Sequence, residues 1–134
     1  MVLNIKGAVE KDLSPNGSAE HVRKSVENCL TMLGPRGRIK MFECARRDPG
    51  APLKETLGEL AKLVEEGKIG GVALSEVSAT TIREAAAITK IIAVEVELSL
   101  WTTDPLRNGI ASACAELKIP IIAYSPLGRG MLTG

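Results

Sequence analysis

Tyr124 and the ten residues after it, Ser-Pro-Leu-Gly-Arg-Gly-Met-Leu-Thr-Gly134, have the clearest chemical use in this sequence. They follow an apolar run, Ile119-Pro-Ile-Ile-Ala123. A strand ending in a polar aromatic and a Ser/Pro/Gly loop can lay the aromatic against a flat ring. The loop's N–H groups can face phosphate oxygens. Four other apolar runs also end in groups capable of chemistry. These are Lys6, the Cys44–Arg46 stretch, Ser75 with Glu76, and Glu95 with Glu97. Glu95 and Glu97 lie two apart, so on a strand they share a face. They could be the paired acids of a hydrolase; barrel-lumen groups beside a cofactor are the better expectation.

The remaining polar residues read more plainly. His21 is the only histidine and is expected on an exposed helix face. With one histidine, no Ser-His-Asp or Cys-His set can be assembled. Arg46-Arg47-Asp48 reads as a solvated loop, and Glu65-Glu66-Gly67-Lys68 as a solvated helix end.

The elements that must position these groups alternate along the chain. Apolar runs at Val2–Lys6, Ile39–Ala45, Ile69–Leu74, Ile91–Leu98 and Ile119–Tyr124 read as strands. Between them lie four amphipathic helices. Ser18 caps the first, with Val22, Val26, Cys29, Leu30 and Leu33 on one face and Gly34 as its stop. The second starts near Leu53, carries Leu53, Leu57, Leu60, Ala61 and Val64 inward, and has Gly67 just past its end. Ser78 caps the third, with Ile82, Ala85 and Ala86 inward. Asp104-Pro105 starts the fourth, with Leu106, Ile110, Ala113, Cys114 and Leu117 as its stripe. Strands recurring at roughly 25–35 residues, with a helix between each pair, predict a parallel α/β sheet.

A doubly wound sheet would show a glycine fingerprint after its first strand. Lys6-Gly-Ala-Val9 is not one. Polar residues converging at one end of successive strands point to a (β/α)8 barrel. With about five parallel βα strands, the TIM barrel is incomplete.

Composition excludes several classes. The chain has 134 residues, 45% of them apolar, and a formal net charge of +1, so one domain is expected without a charge bias toward nucleic acid or membrane. Its aromatics are Phe42, Trp101 and Tyr124, too few to stack single-stranded nucleic acid. Cys29, Cys44 and Cys114 are odd in number and far apart. They read as small apolar residues of a reducing, cytoplasmic protein, without a metal site. No apolar run approaches the length of a membrane span.

With these strand ends laid out, the chain resembles the aldo-keto reductases, and among them the fungal pyridoxal reductase-like branch. The resemblance rests on Val2–Gly7, Arg23–Leu30, Gly67–Ser78, Ala93–Trp101 and Ala123–Gly134, and so covers essentially the whole chain. It implies a barrel that transfers hydride from NADPH to a small carbonyl substrate, and a chain spanning about the third to seventh barrel strands. Lys6 matches the catalytic lysine, which lowers the pKa of a neighbouring acid tyrosine. Ser75 and Glu76 match a Ser-Asn pair that holds the nicotinamide carboxamide, and Glu95 matches a glutamine with the same task. Tyr124 matches the aromatic stacked on the nicotinamide. Ser125, Leu127 and Gly128 match the loop around the pyrophosphate. Ala45 falls where most of the family has histidine. The acid tyrosine and its aspartate match no position of this chain, nor do the residues that grip the 2′-phosphate.

A second expectation is of another class. The chain is a truncated, non-catalytic product, at most a binding or interaction module. Its open sheet edges at Val2–Lys6 and Ile119–Tyr124 would invite self-association.

Overall fold

The computed structural model describes residues 3–134. Val2, expected to open the first strand, lies outside them. The chain runs β1 (Asn4–Gly7), α1 (Ala19–Leu33), β2 (Met41–Cys44), α2 (Leu53–Glu65), β3 (Val72–Ser75), α3 (Ala79–Ile88), β4 (Ile91–Glu97), α4 (Ile110–Glu116) and β5 (Ile121–Tyr124). All five strands are parallel, in the order β1-β2-β3-β4-β5. Strictly sequential order without reversal is barrel winding rather than doubly wound winding.

The sheet also curves like a barrel. In a flat sheet β1 and β4, three steps apart, would stand about 14 Å from one another. Yet Asn4 Nδ2 on β1 donates to Glu95 Oε2 on β4 over 3.3 Å. Curling brings the two side chains together on the concave face, as closure toward a barrel requires.

The helices pack on the convex face, neighbour against neighbour from α1 to α4. Local signals set their ends. Ser18 accepts from the His21 amide and Ser78 from the Thr81 amide, each satisfying a first-turn N–H. Gly34 and Gly67 sit at φ +72° and +70°, where a side chain would be strained. The core holds Val22 and Val26 of α1, Leu57, Leu60 and Leu63 of α2, Ile82 and Ala85 of α3, and Phe42, Val72, Val94 and Val96 of the sheet. Burying each large apolar side chain contributes about 2 kcal/mol.

Three helix expectations are corrected. The fourth helix does not begin at Asp104. Asp104–Leu106 is one 3₁₀ turn, and α4 starts after Gly109, whose φ of +88° turns the chain. Leu106 is therefore exposed rather than in the stripe, as is Leu117. On α1, Leu33 is exposed. On α2, the fully buried Leu63 joins the inward face.

Candidate active site

Four of the expected residues converge on the concave face at the C-terminal ends of the strands. Lys6 Nζ, from β1, donates to Ser75 Oγ on β3 over 3.1 Å. It pairs with Glu95 Oε1 on β4 at 2.8 Å. It also lies over the Tyr124 ring on β5, 5.2 Å from its centroid, within cation–π range. The register explains the meeting. Ser75 is paired with Glu95, and Glu97 with Tyr124, so these side chains rise from neighbouring strands at nearly one level.

A fifth group, Glu43, sits in their midst. It is the register partner of Lys6, is fully buried, and lies 3.6 Å from Lys6 Nζ through Oε1. Asn4 Nδ2 donates to the same oxygen over 3.3 Å. Burial, reinforced by the charge of Glu95, pushes the Glu43 carboxyl up to about 7. Burial opposes the Lys6 charge, but the hydrogen bond to Glu95 and the charges of Glu43 and Glu95 outweigh it and raise the lysine above its ordinary value. Lys6 therefore stays an ammonium. The sequence reading stopped at Cys44 and passed over Glu43. The signal was a carboxylate set inside the apolar run Met41-Phe-Glu-Cys44, at a strand position facing Lys6.

Other expected residues stand apart from this centre. Glu76, at φ +53°, turns its Oε1 to accept from the Glu97 amide over 2.7 Å. It braces the turn after β3. Ser125 takes φ +52°, a matching sharp turn after β5. Leu127 is exposed. Gly128, at φ +56°, donates its amide to Ser125 O over 2.9 Å, and the amides of Gly130, Met131 and Leu132 also donate within the loop. Gly128 thus shapes the loop, while its N–H is committed. Beside the loop, Glu97, Trp101, Thr102, Gly128, Arg129 and Met131 line an open cleft of about 410 Å³.

The residues read as plain solvated groups are more engaged than expected. His21 is only 22% exposed; its ring packs against Val9 O at 3.3 Å and Glu10 at 3.4 Å. Asp48 accepts from the Gly17 and Gly50 amides, which hold its carboxyl below the ordinary value. Arg23 bridges Glu59 and Glu66, and Lys68 bridges Glu27 and Glu66, tying α1 to α2. Of the cysteines, Cys114 is buried and Cys29 and Cys44 half-buried.

The donors and acceptors suit a nicotinamide. Ser75 Oγ accepts from Lys6, so its own O–H remains to donate to a carboxamide carbonyl. The Glu95 carboxylate can accept from a carboxamide NH2. Behind them the buried Glu43 Oε2 is left without a partner.

A curved, sequentially wound parallel sheet with its polar residues gathered at the strand C-termini defines part of a parallel βα barrel. The sequence matches the Aldo/keto reductase family over residues 1–134, and the chain belongs to that family. It is 46% identical over 133 residues to "Probable pyridoxal reductase 2" of Schizosaccharomyces pombe, covering 98% of this chain and 40% of that protein. It is 47% identical over 123 residues to "Probable aldo-keto reductase 1" of Glycine max, covering 92% of this chain and 35% of that protein. The chain thus spans about two fifths of the length of the curated relatives it matches. Its fold superimposes on 42% of the glycerol dehydrogenase of Gluconobacter oxydans with a TM-score of 0.89, at 23% identity and over 98% of this chain. That likeness concerns the fold alone. No helix among the described residues is long and apolar enough to cross a membrane.

Proposed function

We propose that residues 1–134 are part of one NADP-dependent oxidoreductase domain, which reduces a small aldehyde such as pyridoxal with NADPH. The observation that carries this reading is the meeting of Lys6 with Ser75, Glu95 and the Tyr124 ring. Lys6 is the catalytic residue. Ser75, Glu95 and Tyr124 face the nicotinamide, while Glu76, Ser125, Leu127 and Gly128 shape the turns around the cofactor. A cytoplasmic location fits the three unpaired thiols.

Bound NADPH would supply a hydride to the carbonyl carbon. The residues of the chain supply position and charge. The Tyr124 ring offers a flat apolar support, and Ser75 with Glu95 reads the carboxamide by one donor and one acceptor. Lys6, held as an ammonium, would lower the pKa of a phenol placed beside it and so assist protonation of the carbonyl oxygen. Tyr124 is not that phenol. Lys6 lies over its ring face, and burial with the Glu76 and Glu97 carboxylates raises its hydroxyl above the ordinary value.

Saturation-transfer NMR with NADPH tests the reading, because it detects weak complexes. Transfer to the nicotinamide protons, lost in Tyr124→Ala, is the expected result. No transfer from the wild-type chain would leave an interaction module as the better reading. That alternative draws on the exposed Leu100, Trp101 and Met131 near the cleft.

A further inference from the structure

We propose that Glu43 and Glu95 hold one proton between them, as a carboxyl–carboxylate pair clamped by Lys6 and Asn4, and that release of this proton is linked to the arrival of positive charge over Tyr124. The second half rests on the cofactor reading above; the first does not.

Hydrogen-bond accounting carries the first half. The concave face gathers two carboxylates, one amide and one ammonium. The amide of Asn4 has two N–H hydrogens, and both are spent, on Glu43 Oε1 and Glu95 Oε2 at 3.3 Å each. The ammonium of Lys6 donates to Ser75 Oγ at 3.1 Å and pairs with Glu95 Oε1 at 2.8 Å, while Glu43 Oε1, at 3.6 Å, feels its charge but lies beyond hydrogen-bond reach. None of these donors reaches Glu43 Oε2 or Asn4 Oδ1, which among the described residues are buried acceptors left without a partner. A buried carboxylate oxygen without a donor costs about 1–3 kcal/mol or more. One added proton changes the count, because it turns an orphaned acceptor on Glu43 into a donor. The carboxyl held up near 7 agrees with this count.

Every element facing Glu43 bears on its titration. From β1 come the ammonium of Lys6 and the amide of Asn4; from β3 the hydroxyl of Ser75; from β4 the carboxylate of Glu95. On β2 itself Cys44 is neutral, its thiol pushed up to about 12 by burial and by the charge of Glu43. Two like charges sharing Lys6 and Asn4 disfavour the doubly ionised state, while the single ammonium offsets only one of them. With the shared proton, Lys6, Glu43 and Glu95 together carry no net charge. Without it they carry −1.

That difference reaches a ligand. Lys6 spans the gap between the pair and the Tyr124 ring, so a ring seated on Tyr124 lies within the field of all three groups. The oxidised nicotinamide carries a positive charge and the reduced one does not. A pair that has lost its proton therefore favours the oxidised form, and binding of that form favours release of the proton.

Carbon-detected NMR of the 134-residue chain, labelled at glutamate carboxyls, tests the pair without any ligand. One carboxyl should stay protonated to near neutral pH, and its signal should be missing in Glu43→Gln. All glutamates ionised by pH 6 would overturn the proposal. Saturation transfer with NADP+ and NADPH then tests the linkage. From pH 6 to 8 the preference for NADP+ should rise roughly fivefold in the wild type, within the tenfold limit that a coupling of one pKa unit sets. It should stay flat in Glu43→Gln, whose neutral amide mimics the protonated acid. A flat ratio in the wild type overturns the linkage. Failure of both forms to bind sinks the cofactor reading and the linkage with it, while the carboxyl titration still decides the pair.

Discussion

Lys6 lies over the ring of Tyr124, 5.2 Å from its centroid, although β1 and β5 are the two outermost strands of the sheet. Only a strongly curled sheet allows that meeting. The contact therefore reports closure toward a barrel, and its loss would report opening. The same lysine also faces two carboxylates, so its removal should be felt in stability as well as in binding.

Lys6→Met should destabilise the chain by about 1–2 kcal/mol at pH 7.5. A fully buried pair would cost about 3–5 kcal/mol, but the lysine side chain is 38% exposed and water screens it. The cost should shrink at pH 5.5, where the facing Glu43 carboxyl takes up a proton instead. Urea unfolding at the two pH values measures both. A loss equal at the two would contradict the pairing.

Stability should fall as pH rises through neutrality. The Glu43 carboxyl titrates near 7 in the folded chain and near the ordinary 4.5 when unfolded. The folded state thus binds the extra proton. Its contribution is fully present below 4.5 and is lost by about pH 7, amounting to roughly 3 kcal/mol. Glu43→Gln should remove this slope, leaving the variant more stable than the wild type at pH 8. Thermal melts across pH 5–8 provide the comparison.

At the acid end another group acts with the opposite sign. Hydrogen bonds from Arg23 and Lys68 hold the Glu66 carboxyl down to about 2. Its contribution is present above 4.5 and disappears as pH falls toward 2. Arg23→Ala should lower the melting temperature by several degrees, about 5 °C, because Glu59, only 6% exposed, loses its guanidinium partner. A variant that melts with the wild type would show the network to be ornamental.

Gly7→Ala should disturb the site from behind. A Cβ there would stand 2.6 Å from Phe42 Cζ and from Ser25 Oγ. The expected cost is about 1–3 kcal/mol, as for other overpacked cores. Since Gly7 follows Lys6 directly, the Lys6 amide shift in an NMR spectrum should move with it.

The isolated chain is expected to turn over no aldehyde and to associate with itself. Its one tyrosine lies ring-on to Lys6, so no phenol is placed to act as the acid, a contribution typically worth about 10²–10⁴-fold. NADPH absorbance with pyridoxal measures this; turnover abolished by Lys6→Met would make the lysine itself the acid. β1 and β5 each leave one side unpaired in the sheet, which invites strand pairing between copies. Light scattering after size exclusion should give a mass above 14.2 kDa, and Ile122→Lys on the edge strand should lower it.

The order of elements was legible because its signals are local. Ser18, Ser78, Gly34 and Gly67 act within a few residues of themselves, and each stands where the sequence put it. The start of α4 was not, since Asp104-Pro105 is a sound opening signal that Gly109 overrides with a left-handed turn. Lys6, Ser75, Glu95 and Tyr124 could be chosen as strand-end groups, and their convergence follows from parallel register. Glu43 left only a carboxylate inside an apolar run as its signal, and Asn4 left none. Glu43 meets Lys6 and Asn4 through the register of adjacent strands, while Asn4 meets Glu95, 91 positions away, only because the sheet curves.

The matched turns at Glu76 and Ser125 carry a further consequence. Both residues hold positive φ without being glycine, at the ends of the strands that flank β4. Such positions store about 1–3 kcal/mol of tension each. A thermostability engineer would be drawn to replace Ser125 by glycine or asparagine and would gain melting temperature. The same change would loosen the sharp turn between Tyr124 and its loop. At the mouth of this barrel, robustness and aim are set by the same two bonds, and improving one spends the other.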